Sequence, residues 1–238
     1  LRNTGEQITP KGTLKNTSSI NNGFFAGIAN YHKDARTSIS VESLTMDYGI
    51  PGSPEGHING VDIEMEKITQ KFEHHRDIAF LPNFITFDIE QRFVKYEHQE
   101  YETKKTFAAV DLGQQILSLQ GKLSGEDRLL GSLIQYRKFV AGGFYWTPDT
   151  DEINISIFGF REKEFNFITV QASTRLEFLT IKPEITTLSS VNIDQDQIKE
   201  RNFYYGSYAL SFFKNWQNWK MSSSLMLLQR APGIEDMF

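Results

Sequence analysis

Apolar and polar residues alternate along this chain over runs that are unusually long. In residues 168–178 mostly apolar residues occupy every second position, and a similar pattern can be followed from 84 to 96. Successive side chains of a β-strand point to opposite faces of a sheet, so this alternation predicts strands with one apolar and one polar face. Strands of globular proteins have about 5–6 residues, whereas a tilted membrane-spanning strand needs about 9–11. The pattern therefore predicts an all-β fold and favours membrane-spanning strands.

The alternating runs predict ten antiparallel strands in an up-and-down order. They cover roughly 18–31, 37–48, 59–74, 84–97, 106–123, 128–141, 151–163, 166–180, 202–213 and 218–230. Short polar turns are expected at 32–36, 76–82, 124–127, 163–166 and 214–218, and longer connections at 48–60, 97–105, 141–151 and 182–201. Outer-membrane barrels show this asymmetry between short turns and long loops. A soluble β-sandwich or a lipocalin-like barrel also alternates, and periodicity alone leaves that alternative open.

Composition excludes several classes of function. The chain has 238 residues and a formal net charge of −5, with 25 Lys and Arg against 30 Asp and Glu. This acidic balance argues against a nucleic-acid partner, which needs a basic face. The lack of Cys excludes a disulfide scaffold and Cys-based metal or nucleophile chemistry. No run of about 18 apolar residues occurs, which excludes a transmembrane helix but not a membrane β-barrel.

Several segments resemble the β-barrel of TonB-dependent outer-membrane receptors. Residues 47–52 read DYGIPG and are followed by GVDIEME at 60–66, which resembles the family's YG(I/V)PG loop entry and the (V/I)D(I/L)E strand after it. Residues 230–238 read RAPGIEDMF, which is similar to the family pattern RAPxIE(D/E)(L/M)F. Residues 96–102 (YEHQEYE) and 141–148 (AGGFYWTP) resemble two further loops, the first of them from metal-type receptors. Together these matches cover nearly the whole chain in order and spacing.

The resemblance implies an antiparallel up-and-down transmembrane β-barrel in the cell outer membrane of the Gram-negative type. Because the family barrel has roughly 22 strands, residues 1–238 are expected to be a partial barrel of about ten strands. The plug domain and the remaining strands are expected to lie outside this segment. The implied partners are outer-membrane lipid, the protein's own plug domain, the TonB-ExbB-ExbD complex acting through the plug, and a small ligand. The implied function is active uptake of a metal, a metal chelate or a siderophore, without catalysis and without a cofactor.

Histidines in two long connections provide a candidate metal site. His57 lies in the connection after Tyr48, and His98 lies beside Glu100 in another. Two loops on the same rim could bring His57, His98 and Glu100 together as a nitrogen and oxygen site suited to Zn²⁺. The alternative is that these are ordinary solvated loop residues. His32, His74 and His75 fall near short turns and are expected to be inert surface residues.

Charged residues alternate with the apolar ones, and we expect them to face the barrel interior as a hydrated wall that contacts the plug. The set is Asp62, Glu64, Glu66, Asp88, Glu90, Arg92, Arg175 and Glu177. Carboxylates two residues apart also share a face in a hydrolase cleft, which is a competing interpretation.

Aromatic residues near strand ends are expected to form the interfacial girdles of a membrane barrel. They are Tyr48, Tyr96, Tyr101, Phe144, Tyr145, Trp146, Phe203, Tyr204, Tyr205, Trp216 and Trp219. The competing classes for the whole chain are a soluble β-rich carbohydrate-binding module or glycosidase, in which these residues would pack a core or line a cleft, and a passive porin without a plug.

Overall fold

The computed structural model describes residues 1–53, 56–102, 106–144, 147–184 and 198–233. Within these ranges the chain forms thirteen strands, and no helix is long and apolar enough to cross a membrane. The strands are β1 (Arg2–Thr4), β2 (Gln7–Thr9), β3 (Gly12–Leu14), β4 (Ser19–His32), β5 (Ala35–Ile50), β6 (Val61–Asp77), β7 (Thr86–Glu102), β8 (Val110–Ser124), β9 (Arg128–Gly143), β10 (Thr150–Phe165), β11 (Ile168–Pro183), β12 (Arg201–Asn215) and β13 (Lys220–Leu227).

Eleven of these strands form one antiparallel sheet whose spatial order follows the chain. The order is β1, β4 and then β5 to β13 in sequence, while β2 and β3 form a separate small hairpin. This confirms the all-β, up-and-down fold and all ten predicted strands. The short strands β1, β2 and β3 were not predicted; β1 pairs with β4. Among the described residues β1 and β13 are unpaired on one side, so the sheet is an open part of a barrel.

The register defines two faces, because residues directly opposite each other in an antiparallel pair point to the same side. Ile134 lies opposite Leu119 and Ile155, and all three side chains are about half exposed. On the other face Ser156 and Ile181 are each 1% exposed. Side chains crowd together on the concave side of a curved sheet, so we term the buried side the inner face and the opposite side the outer face.

An apolar band crosses the outer face of all the long strands. By register it includes Phe24, Ile28, Ile39, Phe72, Phe87, Ile89, Phe93, Leu117, Leu119, Ile134, Ile155, Leu176, Leu210 and Leu225. The alternation predicted for residues 84–96 is therefore confirmed, since Phe87, Ile89 and Phe93 share the outer face. Asp88, Glu90, Arg92, Arg175 and Glu177 lie on the inner face, as predicted.

The prediction was wrong for the first half of β6. Val61 and Ile63 lie on the inner face, where they are only 7% and 3% exposed. The alternate residues of the strand, Asp62, Glu64 and Glu66, therefore lie on the outer face. Further along β6 the faces exchange polarity, because Ile68 and Phe72 point outward. An apolar residue thus points outward only within the band, and this end of β6 extends beyond the band.

The connections confirm the predicted asymmetry. Long connections (51–60, 103–109, 144–149 and 184–200) join the strands at one end, which we term the upper rim. The other end, the lower rim, carries the connections 33–34, 78–85, 125–127, 166–167 and 216–219. The connection 78–85 is the exception: it is longer than the predicted turn, because β6 ends at Asp77 and β7 begins at Thr86, and it is also longer than the upper connections 103–109 and 144–149.

The aromatic girdle prediction is partly wrong. Tyr48, Tyr96, Phe203 and Tyr205 share the inner face with buried or polar neighbours, so they are not part of an outer girdle. Tyr101 and Tyr204 lie on the outer face, and Trp216 and Trp219 form the exposed turn after β12. Phe144 is exposed in an upper connection, and Tyr145 and Trp146 lie outside the described residues. The prediction grouped these residues only by their position near strand ends. It did not take into account that alternate residues of a strand point to opposite faces, so some of them point inward.

Candidate functional site

The predicted metal residues lie at the upper rim, where the structure joins them in two pairs. The prediction that His98 and Glu100 lie in the connection 97–105 was wrong, because β7 continues to Glu102 and contains both residues. His98 Nε2 lies 2.9 Å from Glu100 Oε1. His57, in the connection 51–60, places Nδ1 3.5 Å from Oε1 of Glu102. In the part of the chain that the structure describes, no three side chains of His, Asp or Glu converge closely enough to hold a metal ion. A shared ligand role for His57, His98 and Glu100 therefore stays a prediction.

A short hydrogen-bonded chain follows the inner face of β7. Tyr96, His98 and Glu100 are spaced by two residues, so they point to the same side. The Tyr96 hydroxyl lies 3.2 Å from His98 Nδ1, on the side of the ring opposite Glu100. A carboxylate only accepts hydrogen bonds, so Nε2 of His98 carries the proton donated to Glu100. In the neutral ring Nδ1 then carries the lone pair, and this lone pair accepts a hydrogen bond from the Tyr96 hydroxyl.

Asn16 closes the base of the loop that carries His57. Its Nδ2 donates to the carbonyl oxygens of Ile50 at 2.9 Å and Val61 at 3.1 Å, the last residue of β5 and the first of β6. Asn16 has a φ of 57°, a left-handed conformation that Asn tolerates better than most residues. Gly60 has a φ of 91°, and a Cβ there would lie 2.7 Å from Asn16 Nδ2. The two residues together fix where the loop leaves the sheet.

Replacing Asn16 with Gly is expected to loosen this loop without backbone strain, because Gly keeps the left-handed conformation but cannot donate. Two lost hydrogen bonds correspond to about 1–3 kcal/mol of local stability. Amide hydrogen exchange in residues 50–61 should accelerate, whereas exchange in β9 and β10 should not change. Asn22→Gly, on the exposed outer face of β4, is the matched control. Equal acceleration in both variants would contradict the assigned role of Asn16.

Ion pairs hold most charged side chains of the inner face in place. Arg137 bonds Glu152 of the neighbouring strand, with Nε 2.7 Å from Oε2. The other pairs are Lys71 with Glu73 (2.8 Å) and Glu90 (3.3 Å), His75 with Asp88 (2.7 Å) and Arg175 with Glu177 (3.0 Å). Each of the carboxylates named here thus contacts a cation or an imidazole, which is the arrangement of a charge-compensated wall.

A groove of about 710 Å³ opens on the inner face below the upper rim. Met65, Lys67, Arg92, Tyr96 and Gln114 contribute to its lining. Within the described ranges Lys67 and Arg92 make no ion pair, unlike the other inner-face cations named above. The groove therefore combines two cationic groups with amide, hydroxyl and thioether groups, a mixture that can hold a polar ligand or an acidic protein segment.

The turn 125–127 at the lower rim carries a separate ion-paired group. Asp127 accepts hydrogen bonds from Arg128 Nε at 2.6 Å and from its terminal nitrogen at 3.1 Å. These bonds from Arg128 hold the pKa of the Asp127 carboxyl below its ordinary value. This group lies at the far end of the strands from the upper-rim residues, so it does not belong to their site.

Sequence reasoning missed two residues of the upper rim. Glu102 contacts His57, and Tyr96 contacts His98, but neither was a candidate ligand or partner. The signal for both was present in the alternation, because Tyr96 and Glu102 lie an even number of residues from His98.

Comparisons with known proteins support the fold. Among the solved structures, nine chains match, and one of them is described as "Copper transporter OprC". The likeness has a TM-score of 0.76 at 9% sequence identity and covers 97% of this chain. This chain spans only 41% of the length of that structure. No protein-family model matches the sequence. No curated protein sequence matches it either.

Proposed function

We propose that this chain is a segment of the barrel of a TonB-dependent outer-membrane receptor for uptake of a metal, a metal chelate or a siderophore. One observation carries the proposal: long antiparallel strands present an apolar band on the outer face and paired charges on the inner face. The longest strands, β6 and β7, have 17 residues each, which exceeds the ~9–11 that a tilted membrane strand needs. A soluble sheet packs its apolar face inward, and this sheet does the opposite.

Aromatic and lysine side chains at the lower rim fit a membrane interface. Lys214 lies 5.4 Å from the ring centroids of both Phe167 and Trp216, and Lys163 lies 5.2 Å from that of Phe165. Aromatic rings with one wet edge concentrate at headgroup depth, and Lys can reach from there to lipid phosphates. These residues support the assignment of the lower rim to one membrane surface and of the longer upper connections to the other.

The upper rim and the inner face supply the parts of a ligand path. His57, His98 and Glu100 would meet a cation or its chelate first, and the groove with Lys67 and Arg92 lies further inside. The plug, which lies outside this segment in the family, would occupy the inner face and respond to the TonB-ExbB-ExbD complex. The structural likeness to a protein described as a copper transporter supports a metal as cargo.

The test uses the full-length protein that contains this chain, produced in a bacterial host with and without TonB. We expect the protein in the outer-membrane fraction and expect accumulation of radioactive copper or zinc that falls to background in the host without TonB. A passive porin would give equal accumulation in both hosts. Recovery in the soluble fraction without detergent would contradict the proposal and favour the soluble carbohydrate-binding or glycosidase alternative.

A further inference from the structure

Two methionines and a histidine form a row across three adjacent strands. Met46 of β5 lies directly opposite Met65 of β6, and Met65 lies directly opposite His98 of β7. All three are on the inner face, because Met65 and buried Ile63 are two residues apart. Directly opposite residues have Cβ atoms about 4.5–5.5 Å apart, so the two thioethers and the imidazole are within reach of one point above Met65.

The hydrogen bonds of His98 prepare its ring for a ligand role. Glu100 accepts the Nε2 proton at 2.9 Å, which leaves Nδ1 as the nitrogen with a free lone pair. Histidines that bind metals usually donate their other ring N–H to a carboxylate or carbonyl in this way. The Tyr96 hydroxyl holds Nδ1 at 3.2 Å, a longer contact that an incoming ion could replace. The side chain of His98 is 14% exposed, so its orientation is constrained by its neighbours.

The donor set selects one class of ion. Thioether sulfur is a soft ligand that favours monovalent copper, whereas Mg²⁺ and Ca²⁺ favour oxygen ligands. An imidazole also suits copper, and the set has no charge of its own. Met65 and Tyr96 also line the 710 Å³ groove, so an ion can reach the row from the inner face.

We propose that Met46, Met65 and His98 form a site for a thiophilic monovalent cation, Cu⁺ or Ag⁺, on the inner face below the upper rim, with Glu100 as the positioning residue of His98. This inference rests on the proposed function and names the cargo class of the same receptor. It differs from the nitrogen and oxygen site predicted from sequence, since the methionines replace His57 and Glu100 as ligands.

The test measures Ag⁺ binding, a redox-inert stand-in for Cu⁺, to the full-length protein in detergent by calorimetry. Met65→Leu conserves side-chain volume and should keep the fold. It should weaken Ag⁺ binding by at least about tenfold, since even the loss of an outer-shell partner of a metal site costs 10–100-fold. Met46→Leu should act in the same direction. Met226→Leu, an inner-face methionine of β13 far from the row, should leave the affinity unchanged.

A second readout follows the methionine methyl groups by NMR. Addition of Ag⁺ should shift the methyl signals of Met46 and Met65 but not that of Met226. Unchanged affinity in Met65→Leu, or equal losses in Met65→Leu and Met226→Leu, would overturn the site. Each of these results leaves outer-membrane location and TonB-dependent uptake intact, so failure of the site is distinguishable from failure of the proposed function.

Discussion

Replacing Arg137 with Met is expected to destabilise the sheet by about 3–5 kcal/mol, because it leaves a buried carboxylate without its cation. Arg137 bonds both carboxylate oxygens of Glu152 through its Nε and a terminal nitrogen. Glu152 is only 8% exposed, and Ser156, four residues further along the same face of the strand, is only 1% exposed. Water therefore has little access to replace the lost partner.

The measurement is thermal or chemical unfolding of the full-length protein in detergent, with the double variant Arg137→Met, Glu152→Leu as the decisive comparison. Removing both charges from a buried pair is often close to neutral, so the double variant should recover most of the loss. Lys71→Met is the matched control, since Lys71 and its partner Glu73 have side chains that are 33% and 42% exposed. A pair this exposed to water contributes only about 0–1 kcal/mol. Similar losses of unfolding free energy in Arg137→Met and Lys71→Met would contradict the expectation that burial makes the Arg137–Glu152 pair more important than the Lys71–Glu73 pair.

The alternating strands were predictable because the side chains on one face of a strand are mostly apolar and those on the other face are mostly polar, along most of its length. Strand β11 is the clearest case, with Val170 and Leu176 on the outer face and Arg175 on the inner face, as the pattern indicates. Period-two alternation fixes which residues share a face, since a shift by one residue would reverse every side chain. It does not by itself decide which face is the outer one.

That limit explains the error in β6. The sequence rule assumes that apolar residues of every strand point the same way, which holds inside the apolar band. Val61 and Ile63 lie beyond the band at the upper rim, where apolar side chains are buried inward and Glu64 points out. The spacing of nine residues already places Ile63 and Phe72 on opposite faces. Only the register with β5 and β7, together with the burial of Ile63, shows that Ile63 is the residue that points inward.

Long-range pairing sets the rest of the candidate site. The contact of His98 with Glu100 follows from spacing by two and could be read from sequence. The contact of His57 with Glu102 depends on the course of the connection 51–60, which Asn16 and Gly60 determine through contacts across 34 and more residues. The row of Met46, Met65 and His98 requires the register of three strands, and no local pattern encodes it.

For the proposed receptor, replacing Ile134 with Lys is expected to impair assembly into the outer membrane, since a cation on a lipid-facing surface near the bilayer midplane costs about 2–4 kcal/mol. Ile134 belongs to an outer-face row that includes Leu119, Ile155 and Phe178, so it lies among apolar neighbours on both sides. The adjacent residue Gln135 lies on the inner face and contributes to the groove. Gln135→Lys adds the same charge to the same strand and is the matched control.

The experiment compares how much of each variant reaches the outer membrane as a folded, protease-resistant barrel in the full-length protein. We expect a strong decrease for Ile134→Lys and a small effect for Gln135→Lys. The exposure of Ile134 makes this test discriminating, because its side chain is 52% exposed and a Lys there would cost little if water covered the outer face. If lipid covers the outer face, the same substitution is strongly destabilising. The decrease in folded barrel therefore shows whether lipid or water covers the outer face. Normal assembly of Ile134→Lys would contradict a lipid-facing band and, with it, the proposed receptor.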